Sequence, residues 1–516
     1  MKQTVSLLLC AVLMLGMFSG CTAGGDSPYA PTGDGLTWDE DYTGPTNAHV
    51  DDTPEQELTL IYYPGVSFNP YLCTDFTNRA LLSLVYQSLF IVDRNYVAQP
   101  MLCKSYRISE DMKSYTFYPE KATFSDGSVL TAEDVVASLN YAKESKVYSG
   151  RFLHITEILL TSDGGITLNL DTACENLLIL LDIPILKASQ LEAEQPLGTG
   201  PYVLEQGAGG LRLQKRTDWW CRADMAITAQ SIALVEAESA THIRDQFEFF
   251  DVDLVCADPG SDRYADYRCD FELWDCENGI FLYLAFSAFS QVFTTPEIRS
   301  ALTYAIDRDT LASNYYRGFA RSATLPASPL SPYYNETLAS KYSYDSVKFA
   351  QAVDAAGLQN STVVLLVNKD DSLRLRVARA IADMLESCGL VVQLSALSGS
   401  DYEYALKTRQ FDIYLGQTKL SPNMDLSAFF STYGELSYGG VNDRAAYALC
   451  LESLANYGNY YTLHKTVMDE GLLCPVLFRS YAVYATRGLL TDLTPARDNI
   501  FYYSLGKSLE KALIRN

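Results

Sequence analysis

The stretch from residue 362 to 394 constrains this chain more than any other. Residues 362–367 (Thr-Val-Val-Leu-Leu-Val) form the kind of continuous aliphatic run that makes a buried strand. Leu373, Val377, Ile381, Met384, Leu385 and Cys388 then recur at helical spacing, and Gly389 suits the left-handed position that ends a helix. Residues 390–394 return as a strand. Two strands joined through a helix are normally parallel, with a right-handed crossover. A chain containing this unit is committed to α/β packing, with helices covering a sheet.

The rest of the chain alternates in the same way. Residues 58–63 are β-branched and aromatic and break at Pro64-Gly65; 114–119, 166–170 and 411–415 also read as strands. Ala80, Leu81, Leu84, Val85 and Leu89 predict a helix within 76–92. Thr131 caps a helix whose first turn carries Glu133 and Asp134, opposing the helix dipole. Thr295 and Pro296 open another, which buries Ile298, Ala301, Leu302, Ala305 and Ile306. Residues 402–409 look helical. Gly207-Ala208-Gly209-Gly210 lacks dinucleotide-binding spacing and reads as a hairpin turn. The class is α/β with mixed sheets.

The N-terminus carries a sorting signal. Lys2 precedes an apolar run over residues 5–18, shorter than the roughly 20 residues a membrane span needs. Phe18-Ser19-Gly20-Cys21 follows and resembles a bacterial lipobox, which would make residues 1–20 a signal peptide and Cys21 the lipidated first residue. An ordinary signal peptide with an incidental cysteine is the alternative. Residues 21–54 are acidic, Gly/Pro-containing and free of Lys and Arg, so they read as a tether. No later apolar run has membrane length. With 39 Lys+Arg against 63 Asp+Glu, the net charge of −24 argues against a nucleic-acid partner and against docking on an anionic membrane face.

Catalytic motifs are missing. There is no GxSxG elbow, no HExxH and no phosphate-binding GxxxxGK[ST] loop. Four histidines, His49, His154, His242 and His464, stand far apart, and no CxxC pair supports zinc. Export permits disulfides among the ten cysteines after Cys21, but their spacing fixes no pairing; buried thiols are the plainer reading. The 36 tyrosines suit either a site for varied ligands or half-buried sheet positions. No catalytic residue, metal ligand or cofactor is assigned.

A set of ordered segments carries a family resemblance. Asn69-Pro70 is followed by Leu84-Val85-Tyr86-Gln87-Ser88-Leu89, with Gln87 where the family usually has Glu. Phe124-Ser125-Asp126-Gly127 leads to Leu130-Thr131-Ala132-Glu133-Asp134-Val135. Then come Gly198-Thr199-Gly200-Pro201-Tyr202, Ile298-Arg299-Ser300-Ala301-Leu302 with Ala305-Ile306-Asp307-Arg308, and Tyr344-Asp345 with Ala355-Ala356-Gly357-Leu358. Together these resemble the family 5 extracytoplasmic solute-binding proteins of ABC importers, which include dipeptide, oligopeptide and nickel binders. The resemblance spans about 58–510.

It implies a two-lobed periplasmic-binding-protein-like fold with an extra domain inserted in the first lobe. The first lobe would comprise 55–75, 190–285 and 472–516, the insert 76–189 and the second lobe 286–471. Strands before Thr294 and around 474–478 would cross between lobes and hinge. Residues 124–135 and 198–202 would be scaffold, with Gly198 and Gly200 serving a turn. The implied role is a monomeric, lipid-anchored receptor on the extracytoplasmic face that traps a small peptide-like solute and presents it to ABC permease subunits. A sensor or adhesion module of the same fold and a secreted hydrolase are the alternatives. In peptide-binding members the strand after Phe-Asp leads to a Trp and then to an Asp that pairs with the ligand's α-ammonium. Here, by position, Gln417 stands for the Trp and Leu420 for the Asp, with Lys419 beside it. The resemblance therefore points to a pocket for a different, anionic or modified ligand, unless Asp425 is the anchor or Lys419 is simply solvated. The expected ligand-binding residues are Asn69, Tyr71, Gln417, Thr418 and Lys419.

Overall fold

The computed structural model describes residues 58–501 apart from 208, 222–228, 262–263, 265, 442 and 491–492. These residues all belong to one compact unit. The expected signal peptide, Cys21 and the tether lie outside the described residues, as does 502–516.

Two long strands organise the molecule. In chain order the strands are β1 (Leu58–Tyr62), β2 (Phe90–Val92), β3 (Ala98–Pro100), β4 (Cys103–Ile108), β5 (Ser114–Pro119), β6 (Ile155–Leu160), β7 (Ile166–Leu170), β8 (Tyr202–Gly207), β9 (Gly210–Lys215), β10 (Ser231–Glu236), β11 (Leu254–Ala257), β12 (Phe271–Phe286), β13 (Ala320–Ser322), β14 (Thr362–Asn368), β15 (Val391–Leu397), β16 (Ile413–Lys419) and β17 (Leu473–Thr486). β12 and β17 pair antiparallel at the centre of a sheet ordered β15-β14-β16-β12-β17-β11-β1-β10-β9-β8, with β13 also on β17. Their register shifts between Glu277 and Phe281 and again between Leu282 and Tyr283. On one side of the first shift β17 pairs with β11; on the other β12 pairs with β16 from Ile280 to Phe286. One ribbon thus serves two half-sheets, and the bulge marks where it bends. β4–β7 form a separate four-stranded antiparallel sheet, and β2–β3 a small pair.

The 362–394 unit forms as the pattern requires. β14 and β15 are parallel, with Thr362 opposite Val391. The Ser372–Ser387 helix between them is capped by Asp371, whose side chain accepts from the Arg374 amide, and it buries Leu373, Val377, Ala378, Ile381 and Leu385. Each such buried side chain contributes about 1.5–3 kcal/mol. Gly389 follows the helix at φ +99° and turns the chain into the second strand. The Ala132–Lys143 helix opens with a capping box: Asp134's amide donates to Thr131 Oγ1, and Thr131's amide donates to Asp134 Oδ2. β8 and β9 form a hairpin that closes at Gly207 and Gly210.

Three expectations need correction. The helix predicted within 76–92 stops at Leu82. Beyond it the carbonyls of Leu84 and Val85 accept from the amides of Tyr202 and Gly200, so a long-range pairing takes over from helical spacing. Gly198 and Gly200 serve that close approach rather than a turn. A Cβ on Gly198 would lie 2.1 Å from the Val85 carbonyl oxygen, and one on Gly200 2.5 Å from that of Leu84. Thr295 occupies the cap position of the Pro296–Ala301 helix, but its side chain makes no cap hydrogen bond.

All ten cysteines after Cys21 are buried, and no disulfide joins them. Burial raises the thiol pKa wherever a shift is resolved, as for Cys73, at about 11. They behave as small apolar residues.

Candidate functional site

Where the central ribbon bends, the chain assembles charge. Gly279, in the bulge of β12, adopts φ +68°, and its amide-rich turn is covered by a guanidinium: a Cβ there would lie 2.0 Å from Arg497 Nη2. Only glycine permits both the conformation and that contact. Arg497 Nη2 donates to the carbonyl of Leu420. The Leu420 amide donates to Gly279 O and the Asp498 amide to Glu277 O, so the segment after β17, the ribbon and the end of β16 are stitched together.

Asp498 receives an ion pair from Lys419 at 2.5 Å. Burial works to raise its carboxyl, but Lys419, Arg79 and Arg497 outweigh burial and hold it well below the usual carboxylate range. Burial in turn lowers the Lys419 ammonium, against the pull of Asp498. Asp182 pairs with Arg151 at 2.9 Å. Burial raises the carboxyl of Glu277, opposed by Arg497; its two oxygens accept from Tyr96 and Ser328 hydroxyls.

Arg79, Tyr86, Gln87, Tyr148, Arg151, Asp182, Arg497 and Asp498 line one cavity of about 90 Å³. Arg79 comes from the Phe76–Leu82 helix, Tyr148, Arg151 and Asp182 from the region around the β4–β7 sheet, and Arg497 and Asp498 from the C-terminal segment. Three cationic side chains (Arg79, Arg151, Arg497) and two carboxylates (Asp182, Asp498) thus share the cavity, with Lys419 paired to Asp498 from outside it, in a chain whose overall balance is strongly acidic. The Trp220 indole N–H donates to Gln87 Oε1 at 2.9 Å, next to the cavity.

The expected site residues divide. Asn69 is fully buried; its amide group donates to the carbonyls of Leu191 and Ala193, and its Oδ1 accepts from the Tyr71 amide. The Tyr71 hydroxyl donates to Pro184 O. Both side chains brace the scaffold, while Pro70 between them lines the cavity. Gln417 Oε1 accepts from Arg479, which also holds both oxygens of Asp258 at 2.8 Å, joining β16, β17 and the end of β11. Thr418 stands half-buried opposite Phe281. Lys419 is ion-paired, not merely solvated.

Asp425 stands elsewhere. Its Oδ1 accepts from the amide and hydroxyl of Ser427, and its Oδ2 pairs with His154 Nε2 at 3.2 Å. Arg79, Arg151, Asp182, Arg497 and Asp498 escaped sequence reasoning. They come from three separate stretches of the chain (79, 151–182 and 497–498) with no shared motif, and a lone Arg or Asp carries no local signal. Among the described residues no group of His, Cys, Asp and Glu could hold a metal ion, and no helix is long and apolar enough to cross a membrane.

Residues 97–439 match the family model described as bacterial extracellular solute-binding proteins, family 5 middle. The chain is 24% identical over 352 residues to the glutathione-binding protein GsiB of Shigella boydii serotype 4, covering 64% of this chain and 67% of that one. The Escherichia coli K12 glutathione-binding protein matches to the same extent. Among solved structures, the unliganded open form of the periplasmic murein tripeptide-binding protein MppA superposes with a TM-score of 0.71 at 15% identity, covering 87% of this chain and 98% of that one. NikA from Brucella suis in complex with Fe(III)-EDTA gives 0.67 at 18%, covering 86% and 98%. These likenesses show the fold: two lobes with mixed sheets, of the periplasmic-binding-protein kind.

Proposed function

The chain belongs to the family 5 bacterial extracellular solute-binding proteins, and from that premise we propose how it works. Its role as the substrate-binding component of an ABC importer, outside the cytoplasm, follows from the family. Beyond that, the reading is a monomer anchored by a lipid on Cys21 that captures a small peptide-like solute between its lobes and delivers it unchanged to permease subunits. The lobes would be 55–75 with 190–285 and 472–516, and 286–471, with 76–189 inserted. Relatives named for glutathione and for a murein tripeptide support a peptide-like solute.

One observation carries the reading. The cavity adjoins the bulge of the β12–β17 ribbon, because the Arg497 guanidinium covers Gly279 and the Asp498 amide donates to Glu277 O. A ligand that reaches from this cavity to the second lobe would favour the closed form by its differential affinity. Trp220 beside Gln87 gives a fluorescence probe. Solute titrated into the full chain should change its emission saturably and be recovered chemically intact; recovery of an altered product would sink the reading. The anchor is tested separately: labelled fatty acid should enter the wild-type chain and not the Cys21→Ala variant.

A further inference from the structure

The polar atoms of the cavity do not balance one another. Arg497 and Arg151 are buried, with side chains 2% and 9% exposed. Arg497 Nε and Nη1 and Arg151 Nη1 have no hydrogen-bond acceptor among the described residues. Buried charged donors without acceptors are costly, and a built protein interior normally satisfies them. A planar guanidinium presents its donors as a fork that fits a carboxylate. In the same cavity Asp182 Oδ1, Asp498 Oδ1 and Asn499 Oδ1 accept from no donor among the described residues, while Asp182 Oδ2 is held by Arg151. The open positions therefore ask for a carboxylate and, near it, a neutral N–H or O–H.

An ammonium fits poorly. It would enter among Arg79, Arg151 and Arg497. Glu277 has both oxygens engaged by hydroxyls, and Asp498, paired with Lys419 through Oδ2, is already balanced by Arg79 and Arg497, although its Oδ1 has no hydrogen-bond donor among the described residues. The position beside Lys419 is the buried Leu420, which offers only a carbonyl, and that carbonyl is taken by Arg497. Asp425 has Ser427 on one oxygen and His154 on the other.

We infer that this cavity selects an anionic, peptide-like end group, a carboxylate beside an amide N–H, with Arg497 and Arg151 taking the carboxylate and Asp182 the N–H, and that a free α-ammonium is not required. The cavity's volume of about 90 Å³ suits such an end group. The inference rests on the solute-binding reading above and narrows its substrate class.

The test is thermal unfolding of the full chain against pooled tripeptides in four forms: both ends free, N-acetylated, C-amidated and blocked at both ends, with a pool of neutral sugars alongside. A solute that binds only the folded state raises the midpoint. N-acetylation should leave the shift in place, and C-amidation should weaken apparent affinity at least tenfold. Arg497→Gln and, separately, Arg151→Gln should erase the difference between free and amidated pools. A shift that survives amidation but is lost on N-acetylation overturns the inference. A shift with sugars alone overturns it too, while leaving a solute receptor standing. No shift with any pool overturns the peptide-like reading and this inference together. An N-acetylated single amino acid that binds as well as the tripeptides would assign the site to acylated amino acids rather than peptide termini, which keeps the same end-group chemistry.

Discussion

Two buried arginines show how differently one side chain is used in the two parts of this protein. Arg308, at the start of the Arg308–Tyr316 helix, is 3% exposed and every guanidinium nitrogen has an oxygen partner. Its Nε donates to Ala323 O and Pro475 O, Nη1 to Thr303 O and Ile306 O, and Nη2 to Thr303 Oγ1 and Pro475 O. Arg497, at the ribbon bend, is similarly buried, yet only Nη2 has a hydrogen-bond acceptor among the described residues. A saturated guanidinium ties a corner of the fold together. A half-satisfied one is maintained at a cost to stability and has capacity left for something that arrives from outside.

Substitutions can break or sharpen that contrast. Arg308→Met leaves several buried carbonyls without donors, and we expect a loss of about 3–5 kcal/mol in unfolding free energy by urea titration. Gly198→Ala tests the scaffold at a second place: the added methyl meets the Val85 carbonyl, with an expected cost of about 1–3 kcal/mol. Arg497→Gln should cost less stability than Arg308→Met, because it removes a single hydrogen bond and Lys419 and Arg79 still balance Asp498, while losing at least tenfold in affinity for carboxylate-ended solutes. A large unfolding effect from Arg497→Gln would erase the distinction between the two arginines.

The histidines extend the comparison to pH. His154 bridges Asp171 at 3.0 Å and Asp425 at 3.2 Å, linking β6's leading edge to the segment after β16. Burial opposes its charge, but Asp425 and Asp171 prevail and raise its pKa above the ordinary value. A raised pKa means the pair's contribution is complete below about pH 6.5 and is lost as pH rises through the folded-state value. The difference in stability between wild type and His154→Gln should therefore shrink from pH 5.5 to pH 8.5, by under about 1 kcal/mol. His464 is fully buried in the Tyr460–Asp469 helix, and burial lowers it to about 3. Its contribution has the opposite sign: present above about pH 6.5 and lost as pH falls toward 3. His464→Gln should accordingly flatten the acid limb of the stability curve rather than the neutral one.

Local patterns were legible in proportion to how local their causes are. The strand–helix–strand unit at 362–394, the Thr131 capping box and the Gly207–Gly210 hairpin each arise from contacts within about thirty residues, and each formed as read. The helix expected within 76–92 ended early because Gly200 and Tyr202, more than a hundred residues away, claimed the carbonyls of Val85 and Leu84. Of the residues singled out for ligand binding, Lys419 came close to the charged cavity through Asp498, whereas Asn69 and Tyr71 turned their polar groups into the scaffold. Spacing identifies a polar residue near a turn; it does not say which way its side chain faces.

The sequence by itself determined the class of fold and the ordered family segments, since each is written in residue types and short spacings. Only the tertiary structure decided which charged side chains gather near Leu420. Arg79 and Arg151 come together with Arg497, which lies more than three hundred residues further on, and Asp425 is drawn off to His154. Their meeting depends on a ribbon that bends at Gly279 and on a glycine small enough to lie under a guanidinium. Charges far apart in the chain interact strongly only after folding removes the water between them.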